Sequence, residues 1–375
     1  MNPRLTAQQP SMIRELNAKK KASTIDLGLG EPTLLPDPAP LRAALAWMEK
    51  YGSPYSPNPG LMELREAVAR YHVYPNLDEA SQVGITVGSQ EALSVAILAL
   101  ADPDRDEVLV IAPAYPLYVK LCGMFGVRFR SVELSADDDF TPRADVILDA
   151  LTDSTRIVVL ASPANPSGRV WSDAELERLG KGLAARKGPP LYIVSDEVYR
   201  ELYFGSVPPT SPAKYWPHTI VVGSLSKSCA LTGLRIGWFI APKAEAPELH
   251  KAHQFLVSST NTYGQRAAIE IFKQPAIIAA HRPFYVQKLA TITAALDAAR
   301  VTYVRPEGAF YVLAKLHGEM AHDSLAFALR LLELHDVLVI PGVAFEAEGH
   351  VRLSFVGSDA ALTKGVEKMG AFLGS

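Results

Sequence analysis

Short apolar runs separated by amphipathic stretches organise the chain. VGITV (83–87), EVLVI (107–111), RIVVL (156–160), LYIVS (191–195), TIVVG (219–223) and GWFIA (237–241) are rich in valine and isoleucine and nearly continuous in apolar character. Continuous rather than alternating patterning predicts strands buried on both faces, as in a parallel sheet covered by helices. Helical patterns lie between several of them: SQEALSVAILALA after the first, and SDAELERLGKGLAARK before the fourth. The second opens on Ser172 with Glu175 three residues later, the spacing of a capping box. Alternation of strand and helix predicts a mostly parallel α/β sheet flanked by helices.

The pattern changes after about residue 280. A long helical stretch, YVQKLATITAALDAAR, leads to VTYVRP, AFYVLAKL, a helix around 321–335, VLVIPG and HVRLSF, which read as a smaller α+β domain. The proline-rich first 40 residues read as irregular, with one strand candidate, TIDLGLG, packed against the small domain. The expected division is a large domain over 41–280 and a small domain built from 1–40 and 281–375.

Composition narrows the function classes. A net charge of −3 over 375 residues gives no reason to expect nucleic acid or an anionic membrane as partner. No apolar run is long enough to span a bilayer, and the first residues lack the apolar core of a secretory signal. Two cysteines far apart, Cys122 and Cys229, exclude a disulfide framework and a cysteine-rich zinc site. The nine histidines have no metal-like spacing. The expectation is a cytoplasmic protein without a metal.

Five strand candidates end in polar clusters. These are Gly88-Ser89-Gln90, APAYPLY (112–118), ASPANPSG (161–168), Asp196-Glu197-Val198-Tyr199 and SLSK (224–227). In an open α/β sheet, ligands bind beyond the carboxyl ends of the strands, so these clusters describe one pocket. Gly88-Ser89-Gln90 opens a helix, where free N–H groups favour a phosphate; Ser224, Ser226 and Arg235 supply further donors. Tyr115 offers a flat face to an aromatic ring, Asp196 holds a ring nitrogen protonated, Asn165 and Tyr199 donate to a ring oxygen, and Lys227 can form an imine. A phosphate, an aromatic ring, a basic nitrogen, a phenolic oxygen and an aldehyde together describe pyridoxal 5′-phosphate (PLP). Taken singly, each residue has a plainer reading: helix cap, rim aromatic, turn, solvated loop or surface charge. Glu31, Glu197 and the 137–139 aspartates read as structural or solvated.

The motif SLSKSCALTGLR resembles the lysine motif of the class I/II aminotransferases, PLP enzymes of fold type I. GLGEP (28–32), YSPNPGLMELREAVA (55–69), GSQEAL (88–93), SPANPSG (162–168), SDEVY (195–199), RPEGAFYV (305–312) and HVRLSF (350–355) extend the likeness nearly end to end. The resemblance implies a seven-stranded, mostly parallel sheet with a smaller α+β domain. It implies that Lys227 carries the internal aldimine and then moves a proton between the substrate α-carbon and the cofactor. Asp196 would pair with the pyridinium nitrogen, Tyr199 and Asn165 would contact the ring oxygen, and Tyr115 would stack on the ring. Ser89, Gln90, Ser224, Ser226 and Arg235 would surround the phosphate. Arg352 would bind the substrate α-carboxylate, helped by Asn165 and the backbone of Gly30. Tyr55 would reach the phosphate of a neighbouring subunit, which implies a homodimer with shared sites, and Asn165-Pro166 would be cis.

The activity so implied moves the amino group of an L-amino acid to a 2-oxo acid by a ping-pong mechanism. The alternative is a PLP-dependent C–S β-lyase, which SPANPSGRVW somewhat resembles; those enzymes tend to carry histidine at the place of Tyr199. A third reading is a ligand-sensing regulator with a DNA-binding domain ahead of an aminotransferase-like one, for which the residues before Thr24 are too few. Gln90 stands where aspartate-preferring members often place a basic residue, which argues against a dicarboxylate-specific site.

Overall fold

The computed structural model describes residues 1–77 and 79–374. A two-residue strand, β1 (Ile25–Asp26), precedes the large sheet. That sheet is built from β2 (Val83–Val87), β3 (Glu107–Ala112), β4 (Arg128–Glu133), β5 (Thr155–Ala161), β6 (Tyr192–Asp196), β7 (Thr219–Ser224) and β8 (Ile236–Ile240), in the order β2-β8-β7-β6-β5-β3-β4. Only β8 runs against the others: it is antiparallel to both β2 and β7. This is the mostly parallel seven-stranded α/β sheet expected.

Alternate positions of the same strands feed two different cores. Val108, Val110, Ile157, Val159, Val194 and Val222 pack beneath Ala92, Val95 and Ala96 of the Ser89–Leu100 helix. Leu109, Val158, Leu160 and Ile193 face the other way, against Leu176, Leu179 and Leu183 of the Asp173–Ala185 helix. Burial on both faces is why these strands read as unbroken apolar runs. Strand β4, RFRSVE, had no such run. It lies at the sheet edge, pairs only with β3, and has no fully buried residue.

Ser172 caps the Asp173–Ala185 helix by accepting from the Glu175 N–H at 3.2 Å. The other half of the expected capping box is not made. The Glu175 carboxylate instead accepts from Ala144 N at 2.6 Å, tying two helices together.

The C-terminal part contains β9 (Tyr303–Val304), β10 (Tyr311–Lys315), β11 (Val337–Leu338), β12 (Ile340–Pro341) and β13 (His350–Ser354). Four of these form an antiparallel sheet in the order β12-β13-β10-β9, and β1 pairs in parallel with β11. Its core joins Phe310, Val312, Val351 and Leu353 to Leu289 and Ile292 of the Arg282–Ala298 helix and to Leu362 and Val366 of the Asp359–Leu373 helix. Leu27, Tyr199 and Leu202 belong to the same cluster, so this core reaches the end of β6.

The first 40 residues depart from the expectation. They are not irregular throughout: Pro3–Thr6 and Met12–Ala18 are helical. Leu16 packs on Leu332 and Leu338 of the C-terminal part as expected. The residues before it do not follow. Arg4 Nη1 donates to Phe125 O at 3.3 Å and Lys120 Nζ to Gln9 O at 2.7 Å, so this end straps the Leu117–Phe125 helix beside the large sheet. The Pro3–Thr6 helix has no buried residue, so polar contacts rather than an apolar face decide where it docks. Among the described residues no helix is long and apolar enough to cross a membrane, and no group of three His, Cys, Asp or Glu could hold a metal ion.

Candidate active site

The carboxyl ends of β2, β5, β6 and β7 and the turn before β8 meet the segment after β1 and the strand β13, and the chemistry-bearing residues gather there. Lys227 stands on the short Leu225–Ser228 turn directly after β7. Its Nζ donates to Gly30 O at 2.7 Å, across 197 residues. Burial pushes the ammonium down to about 8, against the opposing pull of Glu31. Arg352 and Arg235 push in the same direction as burial and Asp196 opposes it, so the four side chains share one field.

Asp196 ends β6 and is buried. Its Oδ2 accepts from the Tyr118 hydroxyl at 2.7 Å and its Oδ1 from Val198 N at 3.2 Å. Burial raises its pKa, and these bonds and Lys227 only partly offset that. Tyr115 meets Tyr118 edge to face, with ring centroids 5.9 Å apart. Tyr199 is buried and its hydroxyl lies 2.9 Å from that of Tyr311.

Arg352, on β13, is 2 % exposed. Its Nη1 donates to Asn165 Oδ1 at 3.0 Å and its Nη2 to Gly28 O at 2.7 Å. Its guanidinium carbon lies 4.3 Å from the Tyr311 ring centre and 4.8 Å from that of Phe345. The backbone of Gly28 thus braces the Arg352 guanidinium, while the carbonyl of Gly30 takes the Lys227 amine. Asn165-Pro166 is cis, as are Ala112-Pro113 and Ser162-Pro163.

Gly88, Ser89 and Gln90 start the Ser89–Leu100 helix, with Gly88 at φ 75°. A side chain at Gly88 would collide with the Arg235 guanidinium, and a Cβ at Gly237 would come within 2.5 Å of Ser89 N. Arg235 Nη2 donates to Val87 O at 3.2 Å and Nη1 to Thr232 O at 2.9 Å. The guanidinium thus stands at the open amide end of a helix. Ser224 Oγ accepts from Ser226 N at 3.0 Å and lies 2.7 Å from Ser226 Oγ and 2.8 Å from Ile236 O, which braces the Lys227 turn. Gln90 is exposed.

Tyr55, expected at the phosphate of a neighbouring subunit rather than in this cleft, is 92 % exposed, on the outside of the chain. Three residues of the cleft were not singled out in the sequence. Tyr118 and Tyr311 lay inside the quoted APAYPLY and RPEGAFYV, and Gly28 inside GLGEP. Glu31 touches the site too: its carboxylate accepts from Thr232 Oγ1 and it is the strongest charge acting on Lys227. Glu197 stays structural. It accepts from Tyr74, Ser195 and Ser211 on the side of the strand away from the cleft residues.

The donor set fits PLP. A glycine cradle crowded by an arginine suits a phosphate, a buried carboxylate with raised pKa suits a cationic ring nitrogen, and an amine that burial pushes down to about 8 suits an aldehyde.

The family model for class I and II aminotransferases matches residues 22–369. The chain is 33% identical to a probable N-acetyl-LL-diaminopimelate aminotransferase of Bacillus subtilis, covering 100% of this chain and 95% of that protein. It is 32% identical to the aspartate/prephenate aminotransferase of Thermus thermophilus, covering 100% and 99%. Among solved structures, Thermus thermophilus aspartate aminotransferase with maleate superposes with a TM-score of 0.91 at 31% identity, over 100% of this chain and 99% of that one. The Thermotoga maritima aspartate aminotransferase does so with 0.92 at 30% identity, over the whole of both chains.

Proposed function

The chain belongs to the class I and II aminotransferases, which depend on PLP, and we propose that it moves the amino group of an L-amino acid to a 2-oxo acid in two half-reactions at the single cleft around Lys227. One observation carries this reading. A lysine held at a strand end by a backbone carbonyl, with its amine pushed down to about 8, lies in the common field of Asp196 and Arg352. Bound PLP supplies an aldehyde for the amino group and a ring that takes up the electrons of the α-carbon bond.

The chain's own residues do the rest. Arg352, braced by Asn165 and Gly28, holds the α-carboxylate and so orients the α-carbon toward Lys227. The Lys227 amine takes the α-proton in one half-reaction and returns one in the other, a role open to an amine that burial pushes down to about 8. Asp196, steadied by Tyr118, keeps the ring nitrogen protonated. Tyr199 and Asn165 meet the ring oxygen, Tyr115 covers the ring, and Ser89, Gln90, Ser224, Ser226 and Arg235 surround the phosphate. We further propose a homodimer in which Tyr55 serves the partner's phosphate; its outward position supports this. The division proposed is a large domain over 41–280 and a small one over 1–40 and 281–375, with the first residues strapped back onto the large domain.

The relatives named above act, by their names, on aspartate, prephenate or N-acetyl-LL-diaminopimelate. The test is a panel of amino donors, these included, against 2-oxoglutarate and pyruvate with PLP-loaded enzyme. Amino transfer that stops without the 2-oxo acid, with parallel lines in a double-reciprocal plot, is the expected result. Release of pyruvate and ammonia from cystathionine with no acceptor would instead make the chain a β-lyase.

A further inference from the structure

Outside the cleft, the side chain of His253 is enclosed completely, at 0 % exposure, on the Ala246–Val257 helix. Its Nδ1 lies 2.7 Å from Glu91 Oε1 and its Nε2 lies 2.9 Å from Asn58 O. The partners are a side-chain carboxyl group and a backbone carbonyl, so both ring nitrogens are engaged. The other oxygen of Glu91 accepts from Val87 N at 2.5 Å. Glu91 sits in the first turn of the Ser89–Leu100 helix, whose start is the glycine cradle. One imidazole therefore ties the cradle to the 54–60 loop. That loop is laced down elsewhere too: Asn58 Nδ2 donates to Ser258 O at 2.9 Å, Gln265 Nε2 to Ser56 Oγ at 2.8 Å and Thr262 Oγ1 to Pro54 O at 2.7 Å. Yet its Tyr55 points outward. A loop so fixed, carrying an exposed aromatic, is built to present that side chain at a set position.

We propose that His253 is a positioning residue: held between Glu91 and the Asn58 carbonyl, it locks the Tyr55 loop to the phosphate cradle, so that one subunit's cradle and the tyrosine it offers to the partner's cofactor are aligned together. This rests on the reading above, in which Tyr55 serves the partner's phosphate. The contacts explain why a fully buried polar ring is tolerated here, since each of its nitrogens has a hydrogen-bond partner.

The test is equilibrium binding of PLP to the full-length apoenzyme, for wild type, His253→Leu, Tyr55→Phe and the double variant. Each single change is expected to weaken PLP binding about tenfold, the worth of one charge-assisted hydrogen bond. Because His253 acts through Tyr55, the double variant should be no weaker than about threefold beyond the worse single one. Multiplying effects, or a His253→Leu protein that binds PLP as wild type does, overturn the proposal. Glu91→Gln serves as the conservative variant. Its carboxamide still accepts from Val87 and can donate to Nδ1, leaving Nε2 to donate to Asn58, so affinity should stay within about threefold; a loss as large as that of His253→Leu counts against the proposal. Where His253→Leu fails to fold, His253→Gln takes its place in the same comparison. An unchanged affinity in Tyr55→Phe alone removes the premise and the proposal with it, whereas a wild-type chain that does not bind PLP refutes the reading of the site itself.

Discussion

Arg352 Nη1 donates to Asn165 Oδ1 at 3.0 Å, joining two residues 187 positions apart. With Nη2 spent on Gly28 O and the ring of Tyr311 at 4.3 Å, the guanidinium has one fixed orientation in a buried setting. Such a group recognises a planar carboxylate in forked fashion, which an ammonium does not. Arg352→Lys should therefore raise KM for amino and oxo acid alike by about 10–100-fold. Asn165→Ala should raise it about tenfold, by loosening the same group. Steady-state kinetics on both half-reactions check this. An unchanged KM for both substrates in Arg352→Lys would remove the carboxylate from this arginine.

Lys227→Ala tests the covalent anchor and the proton carrier together. The variant should retain PLP non-covalently, through the cradle and Asp196, but borohydride should fix no cofactor to the chain. Turnover should fall by at least about 10²–10⁴-fold, the usual worth of a positioned acid–base group. Mass spectrometry of the reduced protein and a transaminase assay read the two effects. Fixation at another lysine at the wild-type level would contradict the assignment.

The depressed value of Lys227, about 8, sets the pH at which the empty enzyme captures PLP. Only the unprotonated amine attacks an aldehyde, so the sign is fixed: capture accelerates as pH rises. The rate should climb about tenfold per pH unit on the acid side and level off above about 8. Stopped-flow absorbance after mixing apoenzyme with PLP measures it. A rate still rising tenfold per unit through pH 9–10 would mean an ordinary, solvated lysine.

Tyr118 holds Asp196 through a 2.7 Å bond in a buried setting. Burial raises the carboxyl pKa and this bond lowers it, so Tyr118→Phe should raise it further. The variant should bind PLP about tenfold more weakly and lose turnover chiefly toward acid pH, where the aspartate first takes up a proton. A pH profile of kcat superimposable on wild type would show that Tyr118 does not steady the charge.

The sequence made the strands legible wherever both faces are buried, because Val158 and Val159 face opposite cores and both must be apolar. It made the cleft legible because polar clusters follow those strands at their carboxyl ends. It did not single out Tyr118 and Tyr311: a tyrosine beside apolar residues reads equally well as core, and only the fold sets their hydroxyls against Asp196 and Tyr199. Strand β4 was hidden by its edge position, where RFRSVE is mostly polar. The Pro3–Thr6 helix was hidden because polar contacts such as Arg4 to Phe125, rather than a buried face, hold it, and the Met12–Ala18 helix because it fully buries a single residue, Leu16. Glu175 shows a local signal being overruled, since its carboxylate serves Ala144 on another helix and not its own cap.

Asp196 and Glu197 are adjacent acids, both buried, and separate chemistry from stability. Successive side chains at a strand end point to opposite faces. Asp196 turns toward Tyr118, Tyr115 and Lys227. Glu197 turns toward the hydroxyls of Tyr74, Ser195 and Ser211, with Arg200 Nε 3.8 Å away. Asp196→Ala should lower the melting temperature much less than Glu197→Ala, since it strands the single hydroxyl of Tyr118, while turnover collapses. Glu197→Ala should do the reverse. It strands three hydroxyls and weakens the hold on Arg200, at a cost of about 3–5 kcal/mol, yet it leaves every residue of the cleft in place. Denaturant melts of the two apoproteins and kcat of the folded, PLP-loaded variants separate the cases. A Glu197→Ala enzyme of wild-type stability would mean that its hydroxyl partners find other acceptors, and one that is stable but inactive would move Glu197 into the chemistry.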